Sequence, residues 1–448
     1  MIKEFLKDPA PYEKQIDRLH QKYLGSARLY VIKQDSVPLA TIIREKNKVA
    51  KMLAGLVYKG EYQFSPAISR AIQTQQGKKR TVFSLRPADL IVSGVIADYV
   101  SRQVQPLLSK HVYGYVPKMG SWKAVFALSA YVRKNWKKGV DPKSSGLYYL
   151  KTDISSYTDS IPLGSSAPMW PALKELLLKN STEEELSFFW DFIKSAIRPE
   201  MIGKEGGLFS RFKGLPMGVP MCTALASFYL LPLDAALESA PGAFYARYGD
   251  DLVFAHPDPR VVQDGVKAIE GILDGLGLSL HASKKSPCFL NNAGKCMGSI
   301  KGSQSITFLG ATVSYDGNVS LDSHKIRKFL GGIRRRIKQT RANLSTQSFE
   351  QLGPVLCKTV NQALNGESIY CEAYLPFLEG TVTNRQQLKQ IDHAIACMIA
   401  EEMTGCRGVR AFREVPYCML REKWKLKSLC YSRGLVCDNL VGDNIYSS

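Results

Sequence analysis

The feature that most constrains this chain is a pair of acidic residues set into the tip of an apolar β pattern. Phe244 to Ala255 reads FYARYGDDLVFA, with aromatic and β-branched residues on both sides of Gly249-Asp250. Such runs favour the pleated strand and the Gly-Asp step favours a tight turn, so the segment is a hairpin with Asp250 and Asp251 at its tip. A second apolar β pattern, LYYLKTDI at Leu147 to Ile154, ends on Asp153. Carboxylates at a strand end and a hairpin tip are well placed to hold two divalent cations about 3.5–4 Å apart, an arrangement that activates an attacking oxygen and stabilises a leaving one in phosphoryl transfer. Hard Mg²⁺ prefers carboxylate oxygens and substrate phosphates, which agrees with the absence of a His or Cys ligand pattern. For the Asp-Asp dipeptide alone, the plainer alternative is a solvated turn.

The rest of the composition narrows the partner. The chain has 448 residues, and 60 Lys+Arg against 40 Asp+Glu leave a formal charge of +20. That excess favours a polyanion, because basic surfaces gain affinity by releasing counterions from phosphates; nucleic acid comes first and an anionic membrane second. With 45% hydrophobic residues the chain can bury a substantial core, and its length suggests two or three domains or subdomains. MIKEFLKDPAPYEKQ at the N-terminus lacks a signal-peptide run, and the apolar stretches break before the roughly 18 residues a membrane span requires, so a soluble, cytoplasmic protein is expected, with no membrane partner. No two of the ten cysteines form a C-x2-4-C pair, so reduced thiols packed as small hydrophobes are expected rather than a zinc knuckle.

Along the chain, Ala40 to Val57 reads as one amphipathic helix ended by Gly60, Thr81 to Leu85 as a short strand and Leu90 to Leu108 as a helix. Gln75 to Arg80 is a basic turn and Lys137 to Gly146 a polar loop. Ser181 to Arg211 has a helical middle and a Gly-rich end. Pro216 and Pro220 exclude a helix until just after them. Ile306 to Leu321 reads as a second hairpin divided at Asp316-Gly317. Beyond it the pattern is helical, starting with His324 to Arg341, where Ile326, Phe329, Leu330, Ile333 and Ile337 form an apolar stripe among Lys325, Arg327, Lys328, Arg334, Arg335, Arg336 and Lys338. Tyr370, Tyr374, Phe377 and the helix around Ile391 to Met403 add a bundle.

These motifs, in this order, resemble the fingers, palm and thumb of a reverse transcriptase over Tyr62 to Leu321. YLKTDISSYTDSIP at Tyr149 to Pro162 looks like the first palm motif. GLPMGVPMCTALASFYLLPLD at Gly214 to Asp234 is similar to the loop and helix supporting template and incoming nucleotide. YGDDLVF at Tyr248 to Phe254 resembles the Tyr-x-Asp-Asp motif, LSLHASKKS at Leu278 to Ser286 the motif after it, and TFLG at Thr307 to Gly310 the primer-grip hairpin. GKKRTVFSL and YGYVPKMGSWKA resemble the fingers. The resemblance implies an α+β right-hand polymerase with fingers, a ferredoxin-like palm, a helical thumb and a C-terminal helical extension. It divides the chain into an N-terminal helical extension (1–60), fingers (61–146), palm (147–320, with a 163–213 insertion) and thumb plus bundle (321–448).

The resemblance also implies roles. Asp153, Ile154, Asp250 and Asp251 would hold two Mg²⁺ ions, with Mn²⁺ as a possible substitute, and Lys284 would protonate departing pyrophosphate, with Lys285 able to take that role. Lys79, Arg80, Tyr157, Thr158 and Met217 would meet the nucleotide. Gly310, Arg334, Arg335 and Arg336 would meet nucleic acid, the arginines tracking an A-form-like duplex by its phosphates. Partners would be dNTPs, a noncoding RNA template and primer, and the RNA–DNA duplex product, with a homo-oligomer possible.

Two positions depart from the family pattern. Thr158 stands where an aromatic normally excludes a ribose 2′-hydroxyl, so either Tyr157 swings in or ribonucleotides are rejected less strictly. Met217 stands where Gln is common, replacing an amide by an apolar, adaptable side chain. The chain lacks recognisable RNase H, integrase, protease and HNH segments, and Thr381-Val382-Thr383-Asn384 only approximates the retron thumb signature. What remains resembles the bacterial stand-alone, defence-associated reverse transcriptases, relatives of group II intron and retron enzymes. Within that set untemplated or protein-primed synthesis stays open, with the terminal Tyr446-Ser447-Ser448 among many hydroxyls. A non-catalytic RNA-binding or splicing-assistance protein and an RNA-directed RNA polymerase are the competing readings.

Overall fold

Unbroken runs of aromatic and β-branched residues form buried strands, and here they form a five-stranded sheet in the order Lys301–Ser303, Cys288–Leu290, Leu147–Asp153, Asp251–His256, Phe244–Tyr248. This computed structural model describes residues 2–24, 26–34, 37–73, 79–136, 146–203, 207–344, 348–365 and 377–431. The Gln75 to Lys78 part of the basic turn, nearly all of the polar loop at 137–145, Tyr370, Tyr374 and the terminal Tyr446-Ser447-Ser448 lie outside them. The mixture of helices and sheets is the α+β class expected. The chain divides into two compact units, one of residues 1–119, 152–254 and 260–286 and one of 120–151, 255–259 and 287–448.

In the first unit the helix Pro87–Val104 packs on Met221–Tyr229 and on Pro9–Tyr23. Its residues Ile91, Val92, Val95, Ile96, Val100 and Val104 are all buried, which is the pattern of a helix enclosed on most sides rather than amphipathic. Met221–Tyr229 begins directly after Pro220, as the two prolines require. The single helix expected over Ala40 to Val57 is two, Leu39–Arg44 and Lys46–Tyr58, because Glu45 leaves helical geometry at φ −97°, ψ 28°. Gly60 at φ 75° ends the second as expected. A four-stranded sheet, in the order Lys79–Ser84, Ala67–Gln73, Met201–Ile202, Leu208–Phe209, completes the unit with the helix Glu183–Ile197, capped by a Thr182–Glu185 capping box.

In the second unit, Ile306 to Leu321 is a three-stranded meander rather than one hairpin. Ser305–Phe308 pairs antiparallel with Ala311–Ser314, and that strand with Val319–Leu321. The reading missed the first turn because Leu309 carries it: Leu309 at φ 51° and Gly310 at φ 73° both take left-handed geometry, and a leucine there is not a turn signal. The second turn lies at Asp316-Gly317 as expected, with Ser129 donating to the Gly317 carbonyl at 2.6 Å. The helix Ser323–Asn343 buries Phe329, Ile333 and Ile337 and packs against Phe349–Leu364 and Arg385–Thr404. Among the described residues every cysteine is a free thiol, and no single helix is long and apolar enough to cross a membrane.

Candidate active site

The first unit brings the two acidic motifs side by side through backbone bonds. Asp153 closes its strand, and the next amide, Ile154 N–H, donates to the Asp250 carbonyl at 3.2 Å. Ile154 is bridged to Leu280, Ser155 N–H donates to the Ser279 carbonyl at 2.8 Å, and His281 N–H donates to the Asp153 carbonyl at 3.0 Å. The strand end carrying Asp153 is thus fixed on both sides. Asp250 is exposed at the turn and Asp251 half-buried at the start of the next strand. Gly249 supplies the positive φ of 65° that the turn needs.

Three buried side chains that sequence reading missed hold this turn. Arg247, 1% exposed, donates from Nε and Nη2 to the two oxygens of Asp234 at 2.7 and 2.6 Å, and Tyr245 donates to Asp234 Oδ1 at 2.6 Å. The remaining Arg247 nitrogen, Nη1, donates to the Gly249 carbonyl at 3.1 Å. Burial opposes the Arg247 charge, but the hydrogen bonds and charge of Asp234 outweigh it and raise the guanidinium pKa further. A bidentate pair with all three guanidinium nitrogens engaged is the geometry in which a buried ion pair holds shape. The signal was present in the sequence as an Arg inside the apolar strand FYARY and an Asp closing the apolar run LLPLD.

A neighbouring segment splints the same hairpin. Arg247 N–H donates to the His111 carbonyl at 2.9 Å, and Tyr113 N–H to the Arg247 carbonyl at 2.8 Å. A Cβ on Gly114 would stand 2.7 Å from the Gly249 nitrogen, so only glycine admits this approach. The ring of Tyr115 lies 6.1 Å from that of Tyr248.

Lys284 and Lys285 part company. Lys284 Nζ stands 2.7 Å from Asp153 Oδ1, whereas Lys285 Nζ is 3.2 Å from Glu270. The Lys284 contact is one of charge without hydrogen-bond alignment, and Asp153 Oδ1 is a buried oxygen with no hydrogen-bond donor. That orphaned oxygen, already met by a cation, fits a hard divalent ion. Among the described residues no three carboxylate, imidazole or thiol side chains converge as a complete metal cage.

The loop GLPMG docks on the adjacent sheet. Phe83 N–H donates to the Met217 carbonyl at 2.7 Å, and Leu215 N–H to the Thr158 carbonyl at 2.8 Å. Gly218 takes φ 104°, and a Cβ there would lie 2.4 Å from the Phe83 carbonyl oxygen. The Met217 backbone is thereby fixed while its side chain is half-buried. Tyr157 points into the core. It is 4% exposed, its hydroxyl donates to the Ala226 carbonyl, and burial raises its pKa. A ring so enclosed presents no surface in this structure. Thr158 is half-buried beside it.

Lys79 and Arg80 begin the strand Lys79–Ser84, and their side chains lie outside what the structure describes. Gly310, Arg334, Arg335 and Arg336 belong to the second unit. Gly310 forms its turn with Lys325 Nζ donating to the Leu309 carbonyl at 2.5 Å. Arg334 and Arg335 are exposed and Arg336 half-buried, with Arg334 3.9 Å from Glu401.

The family model described as "Reverse transcriptase (RNA-dependent DNA polymerase)" matches residues 72–313. No curated protein matches. Among solved structures, the chain is similar to telomerase from Candida albicans in complex with a TWJ fragment of telomeric RNA, at 14% identity and a TM-score of 0.46, over 87% of this chain and 68% of that one. It is also similar to apo telomerase from Candida tropicalis truncated from its C-terminal domain, at 15% identity and a TM-score of 0.41, over 58% of this chain and 55% of that one.

Proposed function

The chain belongs to the reverse transcriptase family and is an RNA-directed DNA polymerase of right-hand fold, and from that premise we propose how its residues divide the work. Nucleotides are the substrates, RNA the template, and divalent metal the family's cofactor. In our reading the metal is a pair of Mg²⁺ ions, held by Asp153, the Ile154 backbone, Asp250 and Asp251. When bound, they lower the cost of charge developing on the attacking and leaving oxygens.

The protein's own groups supply the rest. Asp153 and Asp250 are held side by side by the bond from the Ile154 amide to the Asp250 carbonyl, which fixes the reacting phosphate's surroundings. Lys79 and Arg80 neutralise the triphosphate, and Lys284 delivers a proton to the departing pyrophosphate. The fixed Met217 backbone shapes the nucleotide pocket beside Thr158. With Tyr157 in the core, the sugar is screened without an aromatic at this position, so discrimination against ribonucleotides is relaxed. Residues 61–146 act as fingers, 147–320 as palm and 321–448 as thumb and bundle, with Gly310 and Arg334, Arg335 and Arg336 along the RNA–DNA duplex product. The cellular role we infer is antiphage defence in the cytoplasm with a partner noncoding RNA.

The observation that carries this reading is the buried, donorless Asp153 oxygen facing a cation beside Asp250. The test is incorporation of each labelled dNTP, singly and together, by purified protein with Mg²⁺ and its co-purified nucleic acid, before and after RNase. Synthesis that needs the RNA and vanishes in Asp250→Ala supports the reading. Incorporation that survives RNase would instead establish untemplated synthesis, and none under any condition would leave a non-catalytic RNA-binding protein.

A further inference from the structure

The second unit carries a cluster of rings with no part in polymerase chemistry. His393 lies on the helix Arg385–Thr404, Phe412 on Val409–Glu414, and Tyr417 just beyond it. The Phe412 and Tyr417 rings stack at 4.8 Å and 11°. His393 lies 5.9 Å from each, at 12° to Tyr417 and 20° to Phe412. The imidazole is held at both nitrogens: Nδ1 is hydrogen-bonded with the Tyr417 hydroxyl, and Nε2 meets Cys397 Sγ at 3.5 Å. Three nearly parallel rings are therefore fixed in orientation before anything binds.

These rings are not core. Among the described residues His393 is exposed, Tyr417 is 39% exposed and neighbouring Val409 is 75% exposed. The surroundings are basic. Lys389 stands one turn before His393 on its helix, Arg410 and Arg413 flank Phe412, and all three are exposed. Arg421 and the buried Asp392 act on Tyr417 in opposite senses, Asp392 being itself bound by Ser428, Leu429 and Cys430. Of the nearby acids, Glu401 is drawn to Arg334 at 3.9 Å, and Glu414 is exposed at the end of its short helix.

We propose that His393, Phe412 and Tyr417 form a stacking platform for unpaired bases of an RNA strand whose phosphates are met by Lys389, Arg410 and Arg413. Aromatic faces interleaved with cations are how proteins hold single strands, since every base has a π-face and every linkage a charge. Rings already ordered pay little entropy on binding. Aromatics and arginine also mark protein interfaces, so what favours a polyanionic strand here is the set of exposed cations, Lys389, Arg410 and Arg413, around the rings. The platform rests on the reading of an RNA partner and places part of that RNA on the C-terminal helices.

The test uses the full-length protein and two probes, a short unstructured oligouridylate and a blunt RNA duplex, followed by fluorescence anisotropy. In the Phe412→Ala/Tyr417→Ala double variant, single-strand affinity is expected to fall about 5- to 150-fold, the range for loss of a base–aromatic stack. Duplex affinity and dNTP incorporation on a short primed template should hold, and Tyr417→Phe should keep single-strand binding. Unchanged single-strand affinity, or equal loss for both probes, would overturn the proposal. Photocrosslinking of the unmutated protein to a 5-bromouridine oligomer is independent of any folding defect. Adducts on the Phe412 or Tyr417 peptides are expected, and adducts confined elsewhere refute the platform. If the polymerase reading were at fault, the unmutated protein would fail incorporation while the binding comparison could still be read.

Discussion

Deleting either half of the Asp234–Arg247 pair asks whether the turn carrying the proposed metal ligand Asp250 is held from inside the sheet. Both residues are 1% exposed, and Asp234 accepts three side-chain hydrogen bonds of 2.6–2.7 Å. Asp234→Ala strands a guanidinium and Arg247→Met strands a carboxylate, each in a medium that cannot solvate it, at a cost of roughly 3–5 kcal/mol. At about 2–4 °C per kcal/mol for a cooperative unit of this size class, either variant should melt roughly 6–20 °C lower by calorimetry. The double variant Asp234→Leu/Arg247→Met leaves no orphan charge, and so should recover most of the loss. Turnover should follow a different order. Both variants lacking Arg247 lose the bond to the Gly249 carbonyl, so kcat for single-dNTP incorporation should drop in both, with KM for the dNTP less affected. The rates are to be measured at a temperature where all variants are folded. A double variant with unmutated kcat would refute the positioning role, and Asp234→Ala within about 1 kcal/mol of the parent would refute the energetic argument.

Four further outcomes are expected. Lys284→Ala removes a cation that competes for Asp153, so half-saturating Mg²⁺ should fall up to about 5-fold, the worth of a half-exposed ion pair, while kcat also falls; a metal titration of initial rate reads both. Gly218→Ala forces a Cβ against the Phe83 carbonyl at φ 104°, and a loss of about 1–3 kcal/mol with raised KM for dNTP should follow in denaturant and rate measurements. Tyr157→Phe removes the bond to Ala226 and should lower stability by about 0.5–1.5 kcal/mol without changing the dATP-to-ATP incorporation ratio, whereas Thr158→Tyr should raise that ratio. Burial holds Lys325 down at about 8, with Asp322 pulling the other way. Its folded pKa thus lies below its unfolded one, the unfolded chain binds more protons between those values, and stability should rise from pH 8 toward 10.5; urea midpoints of the parent should show this rise and those of Lys325→Met should not.

Local chemistry explains which parts of this molecule were legible in its sequence. The hairpin around Gly249-Asp250, the strand ending at Asp153 and the helix starting after Pro220 each rest on neighbours in sequence, and each stands where its residues put it. The break at Glu45 and the turn at Leu309 did not announce themselves, because a helix former is no break signal and a leucine no turn signal. The fate of Tyr157 was hidden for another reason: whether this tyrosine, four residues after Asp153, faces solvent or core depends on the Ala226 carbonyl, 69 residues away. Arg247 and Asp234 were each visible as oddities in apolar runs, but only their meeting in space makes them a device.

On the proposed role of Asp153 as a metal ligand, its fixing by Ser279, Leu280 and His281 also sets when this protein becomes an enzyme. The ribosome delivers Asp153 first and the segment that clamps its strand end some 130 residues later, an interval of roughly 6–26 s at ~5–20 residues per second. Throughout that interval the growing chain has an aspartate but no organised catalytic centre. A nascent polymerase tethered to its own message is thereby silent toward the RNA nearest to it, and a chain stalled before His281 is expected to incorporate no nucleotide at all.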